Sequence, residues 1–179
     1  MESRSVKAID VDKPLEVLTI GLQAEIFALE ATSVREILDM VPVTEVPCSQ
    51  PFVGGIINVR GKVVPLADLR LKFGMEQKPD TVHTRIVVIE IEIDRVPTIV
   101  GVRADKVYEV TELAPSSLAD VPKVGMRWRP EYIRFIGKRG NDFIVVPDIA
   151  RVLSPSSTQP AIDVAGTERK AASLTLAGR

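Results

Sequence analysis

A chain of 179 residues with 23 basic and 24 acidic side chains can bury a core without disulfide or metal staples, and its near-zero net charge supplies no field to draw nucleic acid. Cys48 is the single cysteine and His83 the single histidine, which excludes an internal disulfide and Cys- or His-rich metal centres. The longest apolar tracts are broken by Glu90, Glu92, Asp94 or Pro65, short of the roughly 20 apolar residues of a membrane-spanning helix, and the first residues lack a secretory apolar run; the expected location is the cytoplasm, with membrane contact only through a partner.

Residues 1–14 carry alternating charges and few large apolar groups and read as a flexible leader. Leu18, Ile20 and Leu22 then alternate with polar or small residues, and Gln23-Ala24-Glu25 separates them from Ile26-Phe27-Ala28-Leu29, which predicts two strands joined by a turn. Ser33-Val34-Arg35-Glu36 has capping-box spacing, and Val34, Ile37 and Leu38 follow at i, i+3 and i+4, so a short helix is expected there. Val53 to Val59, the turn Arg60-Gly61 and Lys62 to Leu66 predict a hairpin, because Gly61 tolerates the positive φ of a tight turn. Pro65 cannot donate to a ladder, so the second arm is expected to be an edge or to end there. Asp68 is placed to cap a short helix running to Phe73, stopped by Gly74.

Residues 85–93 predict the strongest strand, with Val87, Ile89, Ile91 and Ile93 on one face and Ile86 and Val88 giving way to Glu90 and Glu92 on the other. Strands are expected over residues 98–102 and 107–113, then an irregular connection over residues 114–130 containing Pro115, Pro122 and Pro130. A second hairpin follows, Tyr132 to Ile136 and Phe143 to Val146 about the turn Lys138-Arg139-Gly140-Asn141, and Asp148 caps a final helix. The two hairpins echo each other: Arg60-Gly61, Val63-Val64-Pro65 and Asp68-Leu69 run parallel to Arg139-Gly140, Val145-Val146-Pro147 and Asp148-Ile149, a repeated unit that suggests two similar β-subdomains. Residues 154–179 are poor in large apolar groups and read as a flexible tail.

Little in the chain supports catalysis. Neither Cys48 nor His83 sits in a recognisable nucleophile context, no glycine-rich phosphate loop is present, and Glu90 and Glu92 fit a solvated strand face better than acid–base work. No cofactor is expected. A binding protein exposes apolar groups beside a few fixed charges, and two places qualify: Glu36 with Val34 and Ile37, and Asn58 with Arg60. Each also has a plain structural reading, a capped helix facing the core and ordinary turn chemistry.

Residues 52–70, with Asn58-Val59-Arg60-Gly61 followed by Val64-Pro65-Leu66-Ala67-Asp68-Leu69, resemble the hallmark of the CheW family, with Val59 replacing the commoner leucine. Val34-Arg35-Glu36-Ile37 upstream, and Glu131-Tyr132-Ile133 with residues 143–149 downstream, extend the likeness over about residues 15–153. The resemblance implies a mainly β fold of two SH3-like five-stranded β-barrels packed side by side with a few short helices. It implies a non-catalytic adaptor that couples methyl-accepting chemoreceptors to the histidine kinase CheA, binding the kinase's CheW-like regulatory domain and the receptor's cytoplasmic tip, with ring formation through other CheW-like domains a further implication. Carried over by position, Val34, Glu36, Ile37, Asn58 and Arg60 belong to the receptor surface, Glu36 paired with Arg60 and Thr44 beside them; Gly55 matches a position sensitive to partner binding, or serves close packing. The alternatives are a scaffold for another chemosensory output, such as surface motility or development, and a nucleic-acid-binding SH3- or OB-like barrel. The latter needs stacking aromatics on a basic stripe, for which Trp128 between Arg127 and Arg129 is the one candidate.

Overall fold

The structure, a computed structural model, describes residues 12–155 except 48, 49, 51, 123 and 126. The expected leader and tail therefore lie almost wholly outside the described residues, as does Cys48. Strands β1 (Leu15–Leu22) and β2 (Glu25–Glu30) form a hairpin about Gln23, whose φ is 55°. After a 3₁₀ turn, Ala31–Ser33, come β3 (Val34–Asp39), the hairpin β4 (Val53–Val59) and β5 (Lys62–Ala67), and the helix α1 (Leu69–Lys72). Strands β6 (Arg85–Ile93), β7 (Val96–Ala104) and β8 (Lys106–Leu113) follow in succession, then the short β9 (Leu118–Ala119). The hairpin β10 (Ile133–Arg139) and β11 (Asp142–Pro147) leads into α2 (Ile149–Leu153).

These elements make two sheets packed together, as the resemblance implied. One has the order β3-β6-β7-β5-β4; the other has five long strands, β8-β1-β2-β11-β10, with the two-residue β9 added at its edge. The orders correspond strand for strand, and each sheet contains a single parallel contact in the equivalent place, Leu66 and Ala67 of β5 against Gly101 and Val102 of β7, and Ile144 and Val145 of β11 against Ile26 and Phe27 of β2. The echo between hairpins extends to the caps. The Asp68 N–H donates to the Phe52 carbonyl at 2.8 Å and the Asp148 N–H to the Tyr132 carbonyl at 2.9 Å, while each aspartate side chain accepts from the first turn of its helix.

Alternation sorts the apolar side chains into three cores. Ile57, Val59, Val64, Leu66, Ile86 and Val88 fill the barrel built from β3 to β7; Val17, Ala28, Leu113, Ile144 and Val146 fill the other. The largest core lies between the barrels, where Ile20, Phe27, Leu69, Phe73, Val87, Ile89, Val102 and Val145 meet. Central strands thus bury both faces, which is why residues 86–89 read Ile-Val-Val-Ile without a polar break.

Two expectations need correction. Residues 34–39 are an edge strand and not a helix: Val34, Glu36, Ile37 and Leu38 pair antiparallel with Ile89, Val88, Val87 and Ile86, with a bulge between Val34 and Glu36. The Ser33 hydroxyl donates to the Glu30 carbonyl at 2.7 Å instead of capping a helix. Pro65 does not end its strand either; β5 continues to Ala67 between β4 and β7, and the ladder to β7 takes up only at Leu66, so the missing N–H breaks nothing.

Candidate functional site

Arg60 and Gly61 are the two residues between paired Val59 and Lys62, and both have positive φ, 51° and 82°, the signature of a type I′ hairpin turn. The Asn58 side-chain oxygen accepts from the Gly61 N–H at 2.7 Å, which holds Arg60 in this uncommon conformation. Its guanidinium reaches Glu36 of β3, Nη2 to Oε2 at 3.1 Å and Nε to Oε2 at 3.2 Å. The Arg60 side chain is 81% exposed against 23% for Glu36, so the pair contributes about 0–1 kcal/mol to stability. It orients a cation at the end of the barrel and holds the fold only weakly.

Beside it lies a groove of about 340 Å³ lined by Val41, Pro42, Thr44, Ile56, Asn58 and Val63. Thr44 is fixed there by a two-way bridge to Ile56, N–H to carbonyl at 2.9 and 2.8 Å. Val63 is 74% exposed. The adjacent valines 63 and 64 foreshadow this, since in a strand one of two neighbours must face outward. Gly55 lies directly behind Thr44. Its φ is 143°, and a Cβ there would fall 2.8 Å from Val43 Cγ1 and closer still to the Thr44 carbonyl oxygen. That glycine lets the segment bearing Thr44 close on β4, which gives the packing explanation weight.

The structure therefore brings together Glu36, Thr44, Asn58 and Arg60, with Gly55 supporting them. It separates Val34 and Ile37. Their register partners, Ile89 and Val87, belong to the core between the barrels, whereas Val88 and Ile86 opposite Glu36 and Leu38 fill one barrel's interior. Val34 packs against the shared core, and Ile37, 44% exposed, stands on the face of β3 opposite Glu36.

A second polar constellation escaped the sequence reading. Arg70 is wholly buried. Its Nη2 donates to Asp68 Oδ2 at 2.7 Å, its Nε to Asp68 Oδ1 at 2.9 Å and its Nη1 to Asp105 Oδ1 at 2.8 Å. Asp105 in turn accepts from the Gln23 N–H at 2.7 Å, and its own N–H donates to the Gly21 carbonyl at 3.0 Å, so the cluster ties α1 to the β1–β2 turn across the two barrels. Burial alone would raise the Asp68 pKa, but hydrogen bonds from Arg70 and Gln77 and the Arg70 charge hold it below the usual carboxylate value. Nothing local marks Asp105 as the partner, because 35 residues separate it from Arg70.

Trp128 is only 9% exposed and packs against Phe27 and Phe73, ring centroids 5.5 and 5.6 Å away. It is a core side chain and offers no platform for bases. Among the described residues no cluster of His, Cys, Asp or Glu could hold a metal ion, and no helix is long and apolar enough to cross a membrane.

Residues 16–156 match the family model described as CheW-like domain. The chain is 23% identical over 152 residues to the chemotaxis protein CheW of Treponema pallidum, covering 83% of this chain and 87% of that one. It is 27% identical over 139 residues to the CheW protein of Klebsiella aerogenes, covering 78% and 81%. The crystal structure of the scaffolding protein TtCheW from Thermoanaerobacter tengcongensis superposes with a TM-score of 0.70 at 24% identity, covering 83% of this chain and 97% of that one, a likeness that shows the fold.

Proposed function

Because the chain belongs to the CheW-like domain family, a family of chemotaxis scaffolds, we propose that it is a non-catalytic adaptor that works in the cytoplasm, recruited to receptor arrays. It joins the cytoplasmic tip of methyl-accepting receptors to a CheA-type kinase, whose regulatory domain it contacts. Other CheW-like domains join it in rings. The observation that carries this reading is the Glu36–Arg60 pair beside the groove of Thr44, Asn58 and Val63. A cation fixed by a turn and a carboxylate, next to an open apolar surface, is built to take the apolar stripe of a helical hairpin while polar contacts at its rim set register.

The adaptor makes and breaks no bonds. Holding two partners on one rigid body raises the effective concentration of each for the other, and a shift in one is passed on through the shared core. In an array reconstituted from receptor, kinase and this protein, Arg60→Ala should weaken receptor affinity roughly tenfold, about 1.4 kcal/mol, and lower kinase activation. The urea midpoint and the binding of isolated kinase should stay within error of the parent. Undiminished activation by the Arg60→Ala protein would count against this receptor surface, and failure of the parent to retain either partner in a pull-down would overturn the adaptor reading.

A further inference from the structure

The segment of residues 40–46 that carries Thr44 has two faces. Thr44 lines the groove beside Arg60, whereas Val43 and Glu45, its immediate neighbours, line a separate pocket of about 240 Å³ behind it, as alternation along an extended chain requires. Among the described residues the segment's backbone is tied to β4 through the Thr44–Ile56 bridge alone. Asp68, Gln77 and Arg103 supply the rest of the pocket's polar lining.

Arg103 reaches this pocket from β7. Its side chain is only 19% exposed, and its Nη2 donates to Asp80 in the connection between α1 and β6. Its Nε is buried and donates to nothing, and a buried donor left without an acceptor is costly. The acceptors around it are not equal. Asp68 is spent: Oδ1 accepts from the Arg70 N–H and Nε, and Oδ2 from Arg70 Nη2 and Gln77 Nε2, which fills both oxygens of a carboxylate. Gln77 gives an amide N–H to Asp68 and keeps only an uncharged carbonyl oxygen. Glu45 is exposed, charged and engaged by no described residue. We infer that the Glu45 carboxylate closes onto Arg103 and accepts from its Nε–H, which makes Arg103 a positioning residue for the Thr44 side of the groove. A guanidinium that holds Asp80 and Glu45 together clamps the segment from the side opposite the bridge, and a charge-assisted hydrogen bond is stronger than a neutral one. Thr44 then keeps its register with Ile56 when a helix presses on the groove. The clamp itself needs no partner; its value for receptor binding rests on the adaptor reading.

Amide hydrogen exchange at Thr44 in the full-length protein reports how often the segment lifts from β4. It is measured without receptor or kinase, so its failure is distinct from failure of the adaptor reading. Glu45→Ala should speed Thr44 exchange roughly tenfold. Arg103→Lys, which keeps a cation for Asp80 but has no Nε–H, should do the same. The double variant should exchange no faster than either single one, because both changes remove the same contact, and the Val87 and Val88 amides of β6 should exchange as in the parent. The Arg103 Nε–H resonance should exchange with water faster in Glu45→Ala than in the parent. Should Arg103→Lys fail to fold, Glu45→Ala, a change at an exposed position, carries the test through that resonance. Unchanged Thr44 exchange in Glu45→Ala would overturn the proposal, as would multiplied effects in the double variant. So would an Arg103 Nε–H that exchanges alike with and without Glu45, the mark of a water in the carboxylate's place.

Discussion

Arg70 carries its charge where no solvent reaches it, and the carboxylates that pair with it are Asp68 and Asp105, with the Asp80 charge adding at longer range. Truncating one member of a buried pair leaves the other charged without compensation. Arg70→Ala should therefore lower unfolding free energy by about 3–5 kcal/mol, read as a lower urea midpoint at unchanged m-value. The same cluster makes a pH prediction. Asp68 is held below its usual pKa, so the folded state binds its proton less readily than the unfolded chain. Its stabilising contribution is complete above the unfolded value of about 3.9 and is lost as pH falls through the lower folded value. Asp68→Asn keeps a capping oxygen but removes the titration, and its urea midpoint should fall less between pH 5 and pH 3 than the parent's. Gly55 fails differently. Positive φ and the Thr44 carbonyl both oppose any Cβ, and Gly55→Ala should cost about 2–3 kcal/mol while displacing the Thr44 bridge. Loss of receptor affinity in that variant would then follow from the moved segment, which a shifted Thr44 amide resonance would report.

At the scale of elements, β3 teaches why part of the molecule was legible and part was not. Val34 and Ile37 fit helical spacing because the bulge at Arg35 adds one residue to a period of two, and a strand with one extra residue puts i and i+3 on one face, while Leu38 completes the apparent stripe from the other face. Ser33 and Glu36 fit a capping box, yet their side chains are used by the Glu30 carbonyl and by Arg60. No local rule separates these cases, because the partners are β6 and a turn 24 residues away. The two hairpins, their aspartate caps and the doubly buried residues 86–89 were legible because each is specified by neighbours in sequence. The Glu36–Arg60 pair was anticipated by resemblance, whereas Arg70–Asp105 was not, since its geometry exists only once the barrels dock. The bulge itself can be tested. Deleting Arg35 preserves the pairing of Val34 with Ile89 and Glu36 with Val88 and removes only the exposed contact of Arg35 with Glu90, so the loss should stay near 1 kcal/mol. Deleting Ile37 instead turns Leu38 away from the barrel interior and should cost about 2 kcal/mol or more. Equal unfolding midpoints for the two deletions would contradict this register.

For the whole molecule, the shared core matters more than either barrel. Strands β3 to β7 form one sheet from contiguous sequence, but Val87, Ile89, Val100 and Val102 on their outward faces, with Leu69 and Phe73 of the α1 segment between β5 and β6, belong to the core shared with the other barrel. A fragment of residues 31–104 should form strands yet lack fixed packing, shown by broad methyl resonances and binding of an apolar dye. Sharp resonances and two-state unfolding of that fragment would contradict the dependence of one barrel on the other.

The sheet of β8, β1, β2, β11 and β10 is interleaved: β1 and β2 come from the start of the chain, whereas β11, which lies against β2, comes more than a hundred residues later. During synthesis at roughly 5–20 residues per second, β2 leaves the ribosome on the order of ten seconds before its neighbour exists. Through that interval a hairpin rich in Ile, Leu and Phe presents an open edge, and its safest occupant is a chaperone. Codon choice between β2 and β10, which sets the length of the wait, is therefore expected to influence the yield of soluble protein while leaving its final stability untouched.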